Sequence, residues 1–186
     1  MTVPLFLDCD TGIDDALALA YLLRTPGVDL VGIGTVSGNV SAARAAQNTL
    51  ALLELEGVGD LPVFVGRHDP LVGGFLGGAP MVHGVDGVGD IGLPEPSTRV
   101  AALDAAAALS RLAREHPGEL RVLAIGPLTN LGVALASDPE LPGLIHSVTL
   151  MGGAVLAEGN ITPYAPRPTS STTPRPPRPC SPRRGR

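Results

Sequence analysis

Short apolar runs alternate with helix-length segments along most of the chain, and this alternation constrains the fold more than any other feature. The runs "VPLFL" (3–7), "DLVGIGTVSG" (29–38), "PVFVG" (62–66), "LRVLAIG" (120–126) and "HSVTLMGG" (146–153) read as five strands. Helices are expected at about 14–24, 41–56 with Ser41 as N-cap, 100–116 and 128–136. Residues 67–96 are rich in Gly, Pro and Asp and read as a long loop, a length uncommon unless functional or mobile. Strands this apolar, separated by helices, belong in a mostly parallel sheet covered on both faces. The expected fold class is α/β, with no internal repeat.

Aromatic residues make up only 3% of the chain, so Val, Leu, Ile and Ala must supply most of the core. The two cysteines, Cys9 and Cys180, form no disulfide framework or zinc-type spacing. No apolar stretch approaches membrane-spanning length, and nothing at the start resembles a secretion signal. The expected location is the cytoplasm. The net charge of −5 is unevenly distributed. Residues 1–165 carry all 18 acidic side chains against seven arginines, whereas residues 166–186 carry six arginines, seven prolines and no acid. By composition that tail is disordered. The chain has no lysine.

In parallel sheets of this kind, ligands bind beyond the carboxyl ends of the strands. Polar residues gather there: Asp8, Asp10, Asp14 and Asp15 after the first strand, Ser37 and Asn39 after the second. Thr129 and Asn130 follow the fourth strand, and Met151 and Asn160 follow the fifth. Taken singly, Asp14 and Asp15 suit a helix N-terminus, Thr129 and Asn130 a helix cap, and Asn39 a turn. Together they project to one edge of one sheet. Carboxylates with Asn and Thr oxygens, and no thiolate or imidazole cluster, suit a hard cation such as Ca²⁺ or Mg²⁺. Such an ion relieves repulsion among the aspartates and can activate water, with a spare carboxylate taking its proton. The chemistry indicated is metal-assisted hydrolysis.

The segment "DCDTGIDDALAL" resembles the D-x-D-x-G-x-D-D signature of the nucleoside hydrolases, the inosine–uridine-preferring family of ribonucleoside N-glycosidases. The resemblance extends through "VSGNV", "VHGVDGVGD" (82–90), "AIGPLTNLGVAL" (124–135) and "VTLMGGAVLAEGNITPYA" (148–165). It implies a Rossmann-like α/β sheet over residues 1–165 and hydrolysis of ribonucleosides to base and ribose, with Ca²⁺ as cofactor. By motif, Asp10 is the expected general base and a calcium ligand, Asp15 a calcium ligand, and Thr129 a ligand through its backbone carbonyl. Asp14, Asn39 and Asn160 are expected to hold ribose hydroxyls, Met151 to line the sugar pocket, and Asp8 to orient the turn. His83 falls in the long loop that lies over the nucleobase in the family; a solvated loop histidine is the other reading. The resemblance also implies a homodimer or homotetramer, and assigns no nucleic-acid or membrane partner.

Two rival readings remain. "LFLDCDTG" also resembles the D-x-D-x-T motif of aspartate-nucleophile phosphatases, but a chain without lysine lacks their usual phosphoryl-holding residue, and Asp14–Asp15 have no role there. The second rival is an impaired enzyme that at most binds calcium or ribose. In the family "GNITPxA" continues to Glu-Phe-Asn, whereas Ala165 here is followed by "PRPTSSTTPRPPRPCSPRRGR". Read out of frame, Pro168–Pro179 permits N-I-F-N-D-P-E-A-A, close to the family's continuation. Residues 166–186 are therefore expected to be a frameshift product. The contrary expectation is a basic segment that binds nucleic acid or an acidic surface. If the later strands are missing, the sheet should present an apolar edge.

Overall fold

A computed structural model describes residues 2–153; the 166–186 tail and Asn160 lie outside the described residues. The strands are β1 (Val3–Cys9), β2 (Val28–Thr35), β3 (Val63–Val65), β4 (Arg121–Ala124) and β5 (Ser147–Leu150). The helices are α1 (Ile13–Leu23), α2 (Ala42–Leu55), α3 (Pro80–His83), α4 (Ala105–Glu115), α5 (Thr129–Ser137) and α6 (Leu141–Leu144). The strands form one parallel sheet in the order β3-β2-β1-β4-β5. The expected five strands and α/β class are therefore present.

Consecutive residues of β1 show why its run is apolar without alternation. Phe6 and Leu7 point to opposite faces, and both are fully buried. Phe6 joins Phe64, Leu109, Leu112, Val122 and Ala134 beneath α4 and α5. Leu7 joins Leu19, Ile33, Leu50 and Leu53 beneath α1 and α2. The two phenyl rings need space inside the sheet, and β2 supplies it. A Cβ at Gly32 would lie 2.9 Å from the Phe64 ring, and one at Gly34 would lie 2.8 Å from Phe6 Cζ. These two glycines weaken the strand locally but admit the largest core side chains.

Helix α2 begins where expected, with Ser41 Oγ accepting from the Arg44 N–H at 3.2 Å. Helix α4 begins at Ala105 rather than near residue 100, because Asp104 caps it and Ala101 donates to the Val63 carbonyl instead. The expected long loop contains a helical turn, α3, opened by Pro80 at a first-turn position. β2 and β3 lie on one side of β1, while β4 and β5 lie on the other. The chain therefore reverses its order of addition between β1 and β4, the topological switch point where such sheets open a crevice.

Candidate active site

The β1–α1 turn builds the acidic end of this crevice. Asp10 and Asp15 are 1% and 3% exposed, so neither carboxylate is left to bulk water. Asn39, from the β2–α2 turn, clamps both. Its backbone N–H donates to Asp10 Oδ2 at 2.7 Å, and its side-chain Nδ2 donates to Asp15 Oδ2 at 3.2 Å. Asp15 Oδ2 also accepts from the Gly12 N–H at 2.8 Å, so this residue serves the start of α1 as well as the cluster. Thr11, at φ 20°, is held through its hydroxyl by Thr49 Oγ1 at 2.8 Å.

Burial, reinforced by the neighbouring Asp15 charge, pushes the Asp10 carboxyl well above its ordinary value. Burial likewise pushes Asp15 up to about 6, against the opposing Gly12 hydrogen bond. Among the described residues, the arginine–carboxylate pairs are Arg24–Glu56, Arg111–Glu115, Arg114–Asp138 and Arg114–Glu140, none reaching Asp10 or Asp15. Two buried carboxylates without a protein cation suit a hard divalent ion. Among the described residues no group of three or more His, Cys, Asp or Glu side chains gathers around a metal position. Such an ion would therefore take further oxygens from backbone, substrate or water, donors that Ca²⁺ accepts readily.

Asp14 faces outward, with its side chain 67% exposed. His83, the last residue of α3, reaches the same turn: its Nδ1 accepts from the Ile13 N–H at 3.2 Å and lies 3.8 Å from Asp14 Oδ1. Because Nδ1 accepts there, the neutral ring carries its proton on Nε2. His83 is thus not a solvated loop histidine; its side chain is 13% exposed and closes an open donor at the start of α1. The loop carrying it is pinned over the crevice by Ala79 N–H to the Asn39 carbonyl at 2.9 Å, and by Asn48 Nδ2 to the Asp86 carbonyl at 2.8 Å.

The β4–α5 turn forms the opposite wall. A Cβ at Gly126 would lie 3.0 Å from the Asp10 backbone nitrogen, so this glycine lets the two turns meet. Thr129 is buried at the first position of α5. The capping expectation for Thr129 and Asn130 does not hold: Leu128 is the N-cap, and Asn130 Nδ2 instead crosses to Asp8 Oδ1 at 2.8 Å. Burial pushes Asp8 up to about 7, and that hydrogen bond opposes the shift. Met151, just beyond β5, donates its N–H to Ala124 and is half exposed. The structure thus brings Asp10, Asp14, Asp15, Asn39 and His83 together and sets Thr129 in the facing turn. Asn130, Asn48 and Thr49 are supporting residues whose partners the sequence reading missed. No helix among the described residues is long and apolar enough to cross a membrane.

Comparison with known proteins points the same way. The family model described as inosine-uridine preferring nucleoside hydrolase matches residues 5–166. Uridine nucleosidase 1 of Arabidopsis thaliana is 41% identical, over 87% of this chain and 48% of its own length. A pyrimidine-specific ribonucleoside hydrolase of Citrobacter koseri is 37% identical, over 89% of this chain and 52% of its own. Among solved structures, a purine-preferring ribonucleoside hydrolase from Gardnerella vaginalis superposes with a TM-score of 0.82 at 31% identity, covering 84% of this chain and 51% of that one. A plant nucleoside hydrolase superposes with a TM-score of 0.80 at 35% identity, covering 83% and 49%. The chain spans about half the length of the curated relatives it matches. With fold, motif order and crevice in agreement, the chain belongs to the inosine-uridine preferring nucleoside hydrolase family.

Proposed function

We propose that this chain carries the cation- and ribose-binding part of a calcium-dependent ribonucleoside N-glycosidase. The observation that carries the reading is the Asn39 clamp, which holds two buried carboxylates with no cationic side chain paired to them among the described residues. In this reading Asp10, Asp15 and the Thr129 carbonyl hold Ca²⁺, within a domain of residues 1–165 to which the tail does not belong. Asp14, Asn39 and Asn160 hold ribose hydroxyls, Met151 lines the sugar pocket, and His83 lies toward the base.

A bound calcium ion would supply the charge that orients a water molecule and lowers its pKa. In this reading the Asp10 carboxylate is the general base that takes the proton from the attacking water. The water oxygen bonds to the anomeric carbon as the carbon–nitrogen bond to the base breaks. The departing base takes a proton from solvent, to which Asp10 returns the one it accepted, and free ribose remains. Asp14 and Asn39 restrain the ribose while positive charge develops at its anomeric carbon. The names of the relatives differ in base preference, so the proposal extends to ribonucleosides as a class. It includes a homodimer or homotetramer in the cytoplasm, and light scattering checks the assembly.

The Pro-Arg-Pro that follows Ala165, where the family continues Glu-Phe-Asn, favours a second reading, in which the same residues bind the ion and ribose without turnover. Ribose release from inosine and uridine, with calcium or with chelator, decides between them. Calcium-dependent release that disappears in Asp10→Ala supports catalysis. Calcium-dependent thermal stabilisation without release supports the binding remnant. Release that survives Asp10→Ala overturns the assignment of the base.

A further inference from the structure

Asn130 has a buried side chain that is fully engaged outside the acidic turn. It is 1% exposed and forms three hydrogen bonds. Nδ2 donates to Asp8 Oδ1 at 2.8 Å and to the Thr35 carbonyl at 2.9 Å, while Oδ1 accepts from the Arg67 N–H at 2.8 Å. Those partners stand in β1, at the end of β2 and just after β3, and Asn130 itself opens the helix that follows β4. One amide therefore joins the ends of four strands across the switch point.

Helix capping does not explain it, because the side chain leaves its own helix. Two of the partners are acceptors and one is a donor, so only an amide satisfies all three; a carboxylate would set oxygen against oxygen twice. Two glycines make room for the bridge. A Cβ at Gly66 would lie 2.1 Å from Asn130 Oδ1, and one at Gly34 would lie 2.9 Å from Asp8 Oδ1. Asp8 stands two residues before Asp10, and Thr129 immediately precedes Asn130.

We infer that Asn130 is a positioning residue: its amide fixes the β4–α5 turn, and with it the Thr129 carbonyl, against the Asp10–Asp15 pair. The inference rests on the cation site proposed above, but its geometric half can be measured without a cation. The test uses the full chain, with Asn130→Asp as an isosteric variant that removes both donors. Gly66→Ala, whose Cβ would meet both the Asn130 amide and the Thr35 carbonyl it bonds, displaces the side chain without altering it, and serves if Asn130→Asp does not fold. Asp138→Asn, which breaks the Arg114 pair at the far end of α5, controls for general loss of stability.

Hydrogen exchange of the metal-free chain over residues 8–15 and 125–131, and calcium titration by calorimetry, are the two readouts. In Asn130→Asp or Gly66→Ala, exchange in both segments should rise and calcium affinity fall, each about tenfold, as expected for losing buried hydrogen bonds. Asp138→Asn should leave calcium affinity unchanged. Unchanged exchange overturns the inference. Faster exchange with unchanged calcium affinity also overturns it, making Asn130 purely structural. If the unaltered chain takes up no calcium, the cation reading fails, and the exchange data alone decide whether Asn130 couples the two turns.

Discussion

Gly12 and His83 are packed so closely that a Cβ on Gly12 would lie 2.7 Å from His83 Nδ1. The same atom would lie 2.5 Å from Asn39 Nδ2, the group that clamps Asp15. Both neighbours are fixed by other contacts, so neither can yield without opening the acidic turn or releasing the loop. Gly12→Ala is expected to cost about 1–3 kcal/mol, the range for overpacking. It should also reduce the stabilisation by calcium, because the Asn39 amide is displaced from Asp15. Urea denaturation with calcium and with chelator measures both effects. An unchanged calcium increment would show that the Asn39 clamp is not needed for the ion.

The acidic pair sets the pH dependence of the metal-free chain. Asp15 titrates near 6 when folded, above the ordinary carboxylate value it has when unfolded, so the folded chain binds that proton more tightly. The unfavourable contribution is absent below the unfolded value, grows as pH rises toward 6, and is complete above it. Asp10 shifts in the same direction, and Asp8, near 7, extends the window upward. With chelator present, Tm should therefore fall from pH 5 to pH 8. Calcium requires deprotonated ligands, so its stabilisation should grow over the same range. A gap between the two Tm curves that stays constant with pH would remove these carboxylates from the cation site.

The sheet was legible because Phe6 and Leu7, adjacent and both buried, demand cover on two faces, and apolar runs of this kind have few other homes. The cluster of Asp10, Asp15 and Asn39 was legible for a related reason: the ends of parallel strands converge, so polar residues there must share space. Asn130 was misread because its partners lie 122, 95 and 63 residues away, and the local pattern offered only a helix cap. The α3 turn escaped notice because four residues carry no periodicity, and its placement depends on Asn39 and Ile13. The start of α4 was misplaced since the run before Asp104 suits a helix locally, while pairing of Ala101 with Val63 decides otherwise.

Glu54, near the end of α2, fastens the segment that follows the long loop. Its Oε1 accepts from the Thr98 N–H at 2.6 Å and the Thr98 hydroxyl at 2.7 Å, and its Oε2 accepts from the Ser97 N–H at 3.1 Å. These hydrogen bonds pull the carboxyl down to about 2. A depressed value means that the contribution is fully present above the unfolded value and is lost as pH falls through the folded one. Glu54→Gln replaces an acceptor by a donor facing N–H groups, so its urea midpoint at pH 7 should be lower than that of the unaltered chain. The difference should shrink between about pH 4.5 and pH 2, the two values that bound the titration. A difference independent of pH would mean that packing, rather than charge, holds the segment.

The edge of the sheet at β5 bears on how the protein behaves at high concentration. Among the described residues β5 pairs only with β4, and its sequence Ser-Val-Thr-Leu carries no charge. Val148, Leu150 and Met151 are 41%, 49% and 51% exposed. Exposed strands without Lys or Pro readily pair with other chains. Val148→Lys places a charge on that edge, two residues from Leu150 and away from the acidic turn. Light scattering across a concentration series should show slower association, with Tm changed little, since a half-exposed side chain contributes only part of its burial energy. Unchanged association would place the contact elsewhere on the surface, and the exposed stripe of Ile13, Leu17 and Tyr21 along α1 would be the next site to charge.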